Sequence, residues 1–178
     1  AIQPLDLLPP VDVTFRDYAL AVLRADKLSN PTDPYNYYEL MLNVFVKRKI
    51  LDEKDKAALL EPRYVYNQTE LDVYHDIADI SRSRAAAYRF LDDNRDKLFI
   101  PAKQDVIVSD LYDANKYSHQ PNRLPRQIIL EYIWREDVVL SGKQFKEFEG
   151  QNTTMLCGGT LVFDDKGNIL SWSRKPGS

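Results

Sequence analysis

The 178-residue sequence contains one cysteine, two histidines and no long apolar run. Because Cys157 is the only cysteine, an intramolecular disulfide is excluded and a reducing compartment such as the cytoplasm is favoured. No stretch approaches the roughly 20 apolar residues that span a bilayer, which argues against a membrane partner. The first ten residues also lack the basic start and the apolar centre of a signal peptide.

An excess of basic residues is missing as well. The formal net charge is −3, so the chain as a whole does not present the positive field that attracts nucleic acid, and we expect no nucleic-acid partner. Hydrophobic residues make up 44% of the sequence and charged residues 29%. These fractions are typical of a globular domain with a substantial core.

The first residues differ from the rest in composition. Residues 1–12 are rich in proline and predict an extended linker, and the absence of an initial Met suggests part of a longer protein. Residues 13–178 are predicted to form a single domain, with a helical part over 13–98 and a sheet part over 103–176.

Helical periodicity and capping residues predict about four helices before residue 98. Thr14 and Asp52 are candidate N-caps of the first and third helices, and Asp33 followed by Pro34 indicates the start of the second. Thr69 is the candidate cap of a long fourth helix that fades near residue 97. The serines within 81–83 could bend or break that helix, because they compete for backbone hydrogen bonds.

After residue 101 the apolar period changes from helical to about two. Segments 105–111 and 126–136 are predicted strands, with polar loops at 112–125 and 141–152. Two apolar runs around the turn-forming segment 164–168 predict a β-hairpin. The predicted fold class is therefore α+β, in which the helical part is followed by a three- to four-stranded antiparallel sheet that ends in a hairpin.

Four potential metal ligands recur at i, i+3, i+4 and i+7 in the predicted fourth helix, namely Asp72, His75, Asp76 and Asp79. This spacing places them on one helix face, where carboxylates and an imidazole could hold a metal ion. We favour a solvated acidic face instead, because metal sites in helical proteins usually take ligands from several helices. We therefore predict no metal and no other cofactor.

Cys157 is a candidate nucleophile only if a histidine, His75 or His119, serves as its base. A small buried residue in a strand is the alternative that we favour, since free cysteine is among the most buried residue types. The neighbouring Gly158 and Gly159 are followed by neither a Lys-Ser/Thr pair nor a helix. They therefore indicate a bulge or a close backbone approach, and not a phosphate-binding loop.

Aromatic and basic residues recur in the predicted sheet. The candidate binding residues are Tyr132, Trp134, Trp172, Arg174 and Lys175, with further arginines at positions 123, 126 and 135. Together they could form a stacking platform for a ligand or a single-stranded nucleic acid. The alternative, which we favour, is that the aromatics pack inward and the charges protect the sheet edges from aggregation.

Several short motifs carry a resemblance to a known group. They are 15–26 (FRDYALAVLRAD), 30–34 (NPTDP) with Tyr38, 44–50 (VFVKRKI), 157–168 (CGGTLVFDDKGN), and Arg174 with Lys175. In these motifs the chain resembles the C-terminal region of long bacterial proteins whose N-terminal half looks like a gluzincin-type zinc metallopeptidase. The resemblance implies that a zinc site lies in a preceding domain, that residues 1–10 end an interdomain linker, and that no catalytic residue carries over.

The expected function is accordingly a non-catalytic accessory or interaction domain of a larger bacterial protein. It would pack on or regulate a metallopeptidase-like domain, either in the same full-length chain or in another protein. Two alternatives remain open: a small metal-dependent hydrolase that uses the acidic helix face around His75, and a ligand-binding module that uses the aromatic sheet face.

Overall fold

A computed structural model describes residues 3–60, 71, 77–114 and 126–175 of the chain. Helices precede a four-stranded antiparallel sheet, so the predicted α+β class is confirmed. The helices are a short 3-10 helix at Gln3–Leu7 and five α-helices: α1 Phe15–Ser29, α2 Tyr37–Lys47, α3 Glu53–Leu60, α4 Ile77–Arg82 and α5 Arg84–Asp93. The strands are β1 Ile107–Ala114, β2 Gln127–Val139, β3 Asn152–Phe163 and β4 Ile169–Lys175.

The predicted caps start the first three helices. Thr14 and Asp17 form a reciprocal capping box at α1, which satisfies two backbone donors that the helix leaves unpaired. Asp52 accepts a hydrogen bond from the Asp55 amide at the start of α3. Helix α2 begins later than predicted, at Tyr37, because the chain turns at 34–36. Asp33 still accepts from the first amides of that helix, at 2.9 Å from Tyr37.

The long fourth helix that we predicted is two helices over the described residues. Ser83 adopts an extended backbone between α4 and α5, and its hydroxyl accepts a hydrogen bond from the Ala86 amide. The serine therefore ends one helix and caps the next, as its competition for backbone hydrogen bonds predicts. Residues 69, 70 and 72–76 of the prediction lie outside the described part of the chain.

The strands form a meander in the order β1-β2-β3-β4, each antiparallel to its neighbour. β1 continues to Ala114, three residues beyond the predicted end, and pairs there with Gln127. The hairpin turn between β3 and β4 forms as predicted: the Asp164 carboxylate accepts from the amides of Lys166 and Asn168, and Gly167 has a φ of +84°. A 3-10 helix at Lys143–Phe148 lies in the connection from β2 to β3.

Apolar side chains bury both faces of the sheet. The face that carries Leu130, Tyr132 and Trp134 packs against α4 and α5, and Phe90 of α5 contacts Phe163 edge-on at 5.7 Å between ring centroids. The opposite face, which carries Ile129 and Val162, packs against α1 and the first 3-10 helix. Successive side chains of β2 point to opposite faces of the sheet, and helices cover both faces. Residues on either face of β2 are therefore buried.

The prediction that residues 1–12 form an extended linker is wrong for residues 3–12, which the structure describes. Gln3–Leu7 is a 3-10 helix, and Leu7 is buried against Ile129 and Val162 of the sheet. The Thr160 hydroxyl donates to the Leu8 carbonyl at 2.6 Å. Burial of a leucine stabilises a fold by about 1.5–3 kcal/mol, which favours docking over a solvated linker.

Candidate functional site

The predicted metal-binding face falls largely outside the described residues. Asp72, His75 and Asp76 are among the residues without a structural description, whereas Asp79 is exposed on α4. Within the described ranges, no three His, Cys, Asp or Glu side chains come together in a way that could hold a metal ion. The solvated acidic face therefore stays a prediction, and the helical metal site an untested alternative.

Cys157 is buried in β3, directly opposite Trp134 of β2. Its thiol faces the Glu136 carboxylate, with 3.9 Å between Sγ and the nearer oxygen. Neither candidate base, His75 nor His119, lies in the described part of the chain. The burial matches the small core residue that the sequence favours.

The aromatic residues of the sheet form a continuous row and not an open platform. Tyr132 and Trp134 are buried and stacked, with 6.2 Å between ring centroids, and Tyr132 accepts a hydrogen bond from Trp172 Nε1 at 3.0 Å. Half-buried Trp172 stacks in turn on Phe99. A sheet-face platform that needs the exposed rings of Tyr132 and Trp134 is therefore not formed, because α4, α5 and the segment after α5 cover that face.

Gly159 allows this arrangement. A Cβ at position 159 would lie 2.6 Å from the hydroxyl of Tyr132 and 2.7 Å from its Cζ. The ring of Tyr132 can therefore lie across β3 and reach Trp172 only because its cross-strand partner has no side chain. This confirms the close approach predicted for the glycine pair.

The two cations at the end of β4 make contacts within the chain. The Arg174 guanidinium lies 4.1 Å from the ring centroid of Phe99 and 5.5 Å from that of Trp172. Lys175 points to the other side of the strand, where its Nζ is 2.9 Å from the Asp17 carboxylate in the capping box of α1. Each cation thus attaches β4 to a different part of the fold.

Acidic groups gather on the sheet face that α1 covers. Burial raises the pKa of Glu131 in β2, and the neighbouring carboxylates of Asp110 and Asp6 raise it further. Tyr112 donates to Asp6 at 3.2 Å, and burial together with the same negative charges raises the pKa of its phenol. Because burial and the nearby carboxylates both disfavour its charged form, ionisation of Glu131 opposes the folded state at neutral pH.

The two central strands, β2 and β3, extend beyond the two outer strands at one end of the sheet and form an arm. Among the described residues, the outermost pair of β1 and β2 is Ile107 opposite Ile133, and that of β4 and β3 is Lys175 opposite Gly158. β2 and β3 continue as a two-stranded ribbon to Val139 opposite Asn152. In the described part of the chain, no strand lies beside β2 past residue 133.

The direction of the backbone groups on this arm follows from its last pairs. Leu140 donates to the carbonyl of Gln151 and accepts from the amide of Gly150, so both its backbone groups face β3. Because backbone groups alternate in direction along an antiparallel strand, those of Arg135, Asp137 and Val139 face the opposite, outer edge. None of them has a backbone partner there among the described residues.

A cleft of about 370 Å³ lies at the start of β1, next to the free edge of β2. Its apolar lining comes from Ile107, Ile133, Trp134 and Leu156, and its polar lining from Lys103, Gln104, Asp105 and Arg135. The wall formed by segment 101–105 is held by Arg95, whose Nη1 donates to the carbonyls of Pro101 and Gln104 at 3.1 and 2.8 Å. The cleft is therefore supported by hydrogen bonds on its loop side and by strand pairing on its sheet side.

The surface around the cleft combines exposed apolar groups with unpaired polar ones. Ile107, Leu156 and Val139 are 52%, 46% and 58% exposed on the same face of the sheet. Trp134 is only 2% exposed, yet its Nε1 has no hydrogen-bond partner in the residues that the structure describes. Because side chains alternate along β2, this indole lies on the sheet face that α4 and α5 cover, opposite to the face of Ile107 and Leu156.

Sequence reasoning predicted only part of this surface. Trp134 and Arg135 were among the aromatic and basic candidates, but Lys103, Ile107 and Leu156 were not. The arm has a signal in the sequence, because the segments that form β2 and β3 are longer than those that form their outer neighbours, β1 and β4. The cleft has no comparable signal, because its walls come from segments about 20 to 50 residues apart.

Comparison with known proteins reveals no relative: no family model matches the chain, and neither a curated protein nor a solved structure is similar to it. No helix in the described ranges combines the length and the apolar character required to cross a membrane.

Proposed function

We propose that this chain is a protein-interaction domain without catalytic activity of its own, and that its partner contributes an extended segment to the open edge of β2. The observation that carries the proposal is the arm: β2 continues from Trp134 to Val139 beyond the last residue of β1 that pairs with it. An edge of this kind accepts an extended peptide by strand addition, in which backbone hydrogen bonds provide affinity.

The side chains along the edge fit selective binding better than indiscriminate pairing. Arg135, Glu136 and Asp137 place charges on the outer strand, and such charges oppose association with an arbitrary apolar strand. Exposed Val139 and Leu156 provide apolar contacts on one face of the same arm. A partner strand therefore needs both extended backbone and side chains that suit these neighbours.

The resemblance in the sequence suggests a class of partner. A metallopeptidase-like domain, in the same chain or in another protein, could contribute the extended segment, and this assignment remains a prediction. Strand addition does not depend on that identity, because it uses backbone groups that any extended segment carries.

The test is to block the edge without disturbing the β2–β3 ladder. We would select binders from a library of displayed random peptides and measure their affinity for the wild-type chain and for Asp137→Pro. Proline removes the amide at 137, which faces outward, and proline is tolerated at such edge positions. We expect affinity to fall at least about tenfold.

Asp137→Ala is the matched control, because it removes the carboxylate that accepts from Thr154 but retains the amide. We expect its peptide affinity to stay within about threefold of wild type. Urea unfolding of all three proteins establishes that the arm is intact. A library that yields no binder, or binders that are indifferent to Asp137→Pro, would overturn the proposal.

A further inference from the structure

The cleft beside the free edge has an unbalanced set of polar groups. Lys103 and Arg135 lie on its rim, and neither forms an ion pair or hydrogen bond with another described residue. Asp105 is the one carboxylate of the lining, so cations and donors outnumber acids around the apolar floor.

The direction of a bound strand connects this cleft to one end of a peptide. β1 runs antiparallel to β2, and the cleft lies at the start of β1, next to residues 133–135 of β2. A peptide that continues the line of β1 along Arg135 to Val139 in the same antiparallel sense ends at the cleft with its C-terminus. The free edge spans about 17 Å, enough for five residues of such a peptide.

We propose that the cleft is a site for the C-terminus of the partner segment, with an apolar last side chain on Ile107, Ile133 and Leu156 and the terminal carboxylate between Lys103 and Arg135. The opposite strand direction would bring an ammonium group to two cations, which is unfavourable. This inference rests on the proposed strand addition and specifies which end of the partner is recognised.

The volume and lining of the cleft suit such a group. About 370 Å³ is at the small end of ligand pockets and accommodates one large apolar residue with its carboxylate. Arg95 fixes the loop that carries Lys103, so little ordering is needed on binding. Arg135 occupies β2 itself, which gives the second cation a rigid backbone position.

The experiment compares one peptide in two forms. The probe is an acetylated hexapeptide of alternating threonine and valine that ends in leucine, synthesised as the free acid and as the amide. We expect the free acid to bind the wild-type chain about tenfold more tightly than the amide, because a charge-assisted contact is lost in the amide. Lys103→Met and Arg135→Met should each reduce this difference to less than about threefold.

Lys166→Met is the matched control, since Lys166 is an exposed cation in the turn at the opposite end of β3. It should retain the tenfold preference for the acid.

The outcomes separate the two proposals. If acid and amide bind equally and both lose affinity in Asp137→Pro, strand addition stands and the carboxylate site is wrong. If Lys103→Met and Arg135→Met retain the full preference for the acid, the carboxylate site is also wrong. If neither form binds, while unfolding shows an intact protein, both proposals fail.

Discussion

The indole of Trp172 in β4 donates a hydrogen bond to the phenol of Tyr132 in β2, at 3.0 Å and across the intervening strand. Residues in β2 and β4 are not neighbours in the sheet, so this contact passes over β3 at Gly159. The bond links a buried stacked pair, Tyr132 and Trp134, to the more accessible cluster of Trp172, Phe99 and Arg174. β2 and β4 are therefore connected across β3 by a hydrogen bond that requires glycine at position 159.

Gly159→Ala should therefore destabilise the protein by about 1–3 kcal/mol, because its methyl group would overlap with the hydroxyl and Cζ of Tyr132. Urea unfolding monitored by tryptophan fluorescence measures the change. In a Tyr132→Phe background the closest atom is absent, so the cost of Gly159→Ala should fall without disappearing. An equal cost in both backgrounds would show that Tyr132 is not the group that gives way.

Glu131→Gln should stabilise the protein at neutral pH. The folded-state pKa of Glu131 is raised, first by burial and then by Asp110 and Asp6, so ionisation of this carboxyl opposes folding. This penalty is absent below the pKa of the unfolded chain and grows as pH rises through that value towards the raised folded value. The gain at pH 7 should be no more than about 1 kcal/mol, because water screens the half-exposed carboxyl.

The measurement for Glu131→Gln is urea unfolding between pH 3 and pH 8. Its advantage over wild type should vanish at the acidic end, where both side chains are neutral. Glu147→Gln, in the exposed connection between β2 and β3, changes the net charge equally and is the control. If both variants gain equally, the effect comes from net charge and not from the acidic cluster.

Ser83→Ala should lower the free energy of unfolding by about 0.5–2 kcal/mol, because α5 would lose the hydroxyl that accepts from the Ala86 amide. Ser83→Asp should remain close to wild type, since a carboxylate caps the same position and complements the helix dipole. Urea unfolding and helical circular dichroism measure both variants. If the aspartate variant is as unstable as the alanine variant, Ser83 does not act as a cap.

Local sequence signals determined the elements of the fold. Period-two alternation located the buried residues of β2, Thr14 and Asp52 indicated helix starts, and the Asp and Gly residues of 164–168 indicated the hairpin turn. These signals succeed because each depends on groups a few residues apart: a side-chain cap, a strand period or a turn conformation. The break at Ser83 was visible for the same reason.

Only the tertiary structure decided what these elements do together. The first residues read as a linker by composition, yet Leu7 docks on the sheet because an apolar face at Ile129 and Val162 is available far along the chain. By residue type, Tyr132 and Trp134 were candidates for a stacking platform. In the folded chain, helices from earlier in the sequence cover both rings. The open edge of β2 and its cleft exist because β1 begins only at Ile107, opposite Ile133. Pairing between distant strands, not local propensity, sets where a strand has no neighbour.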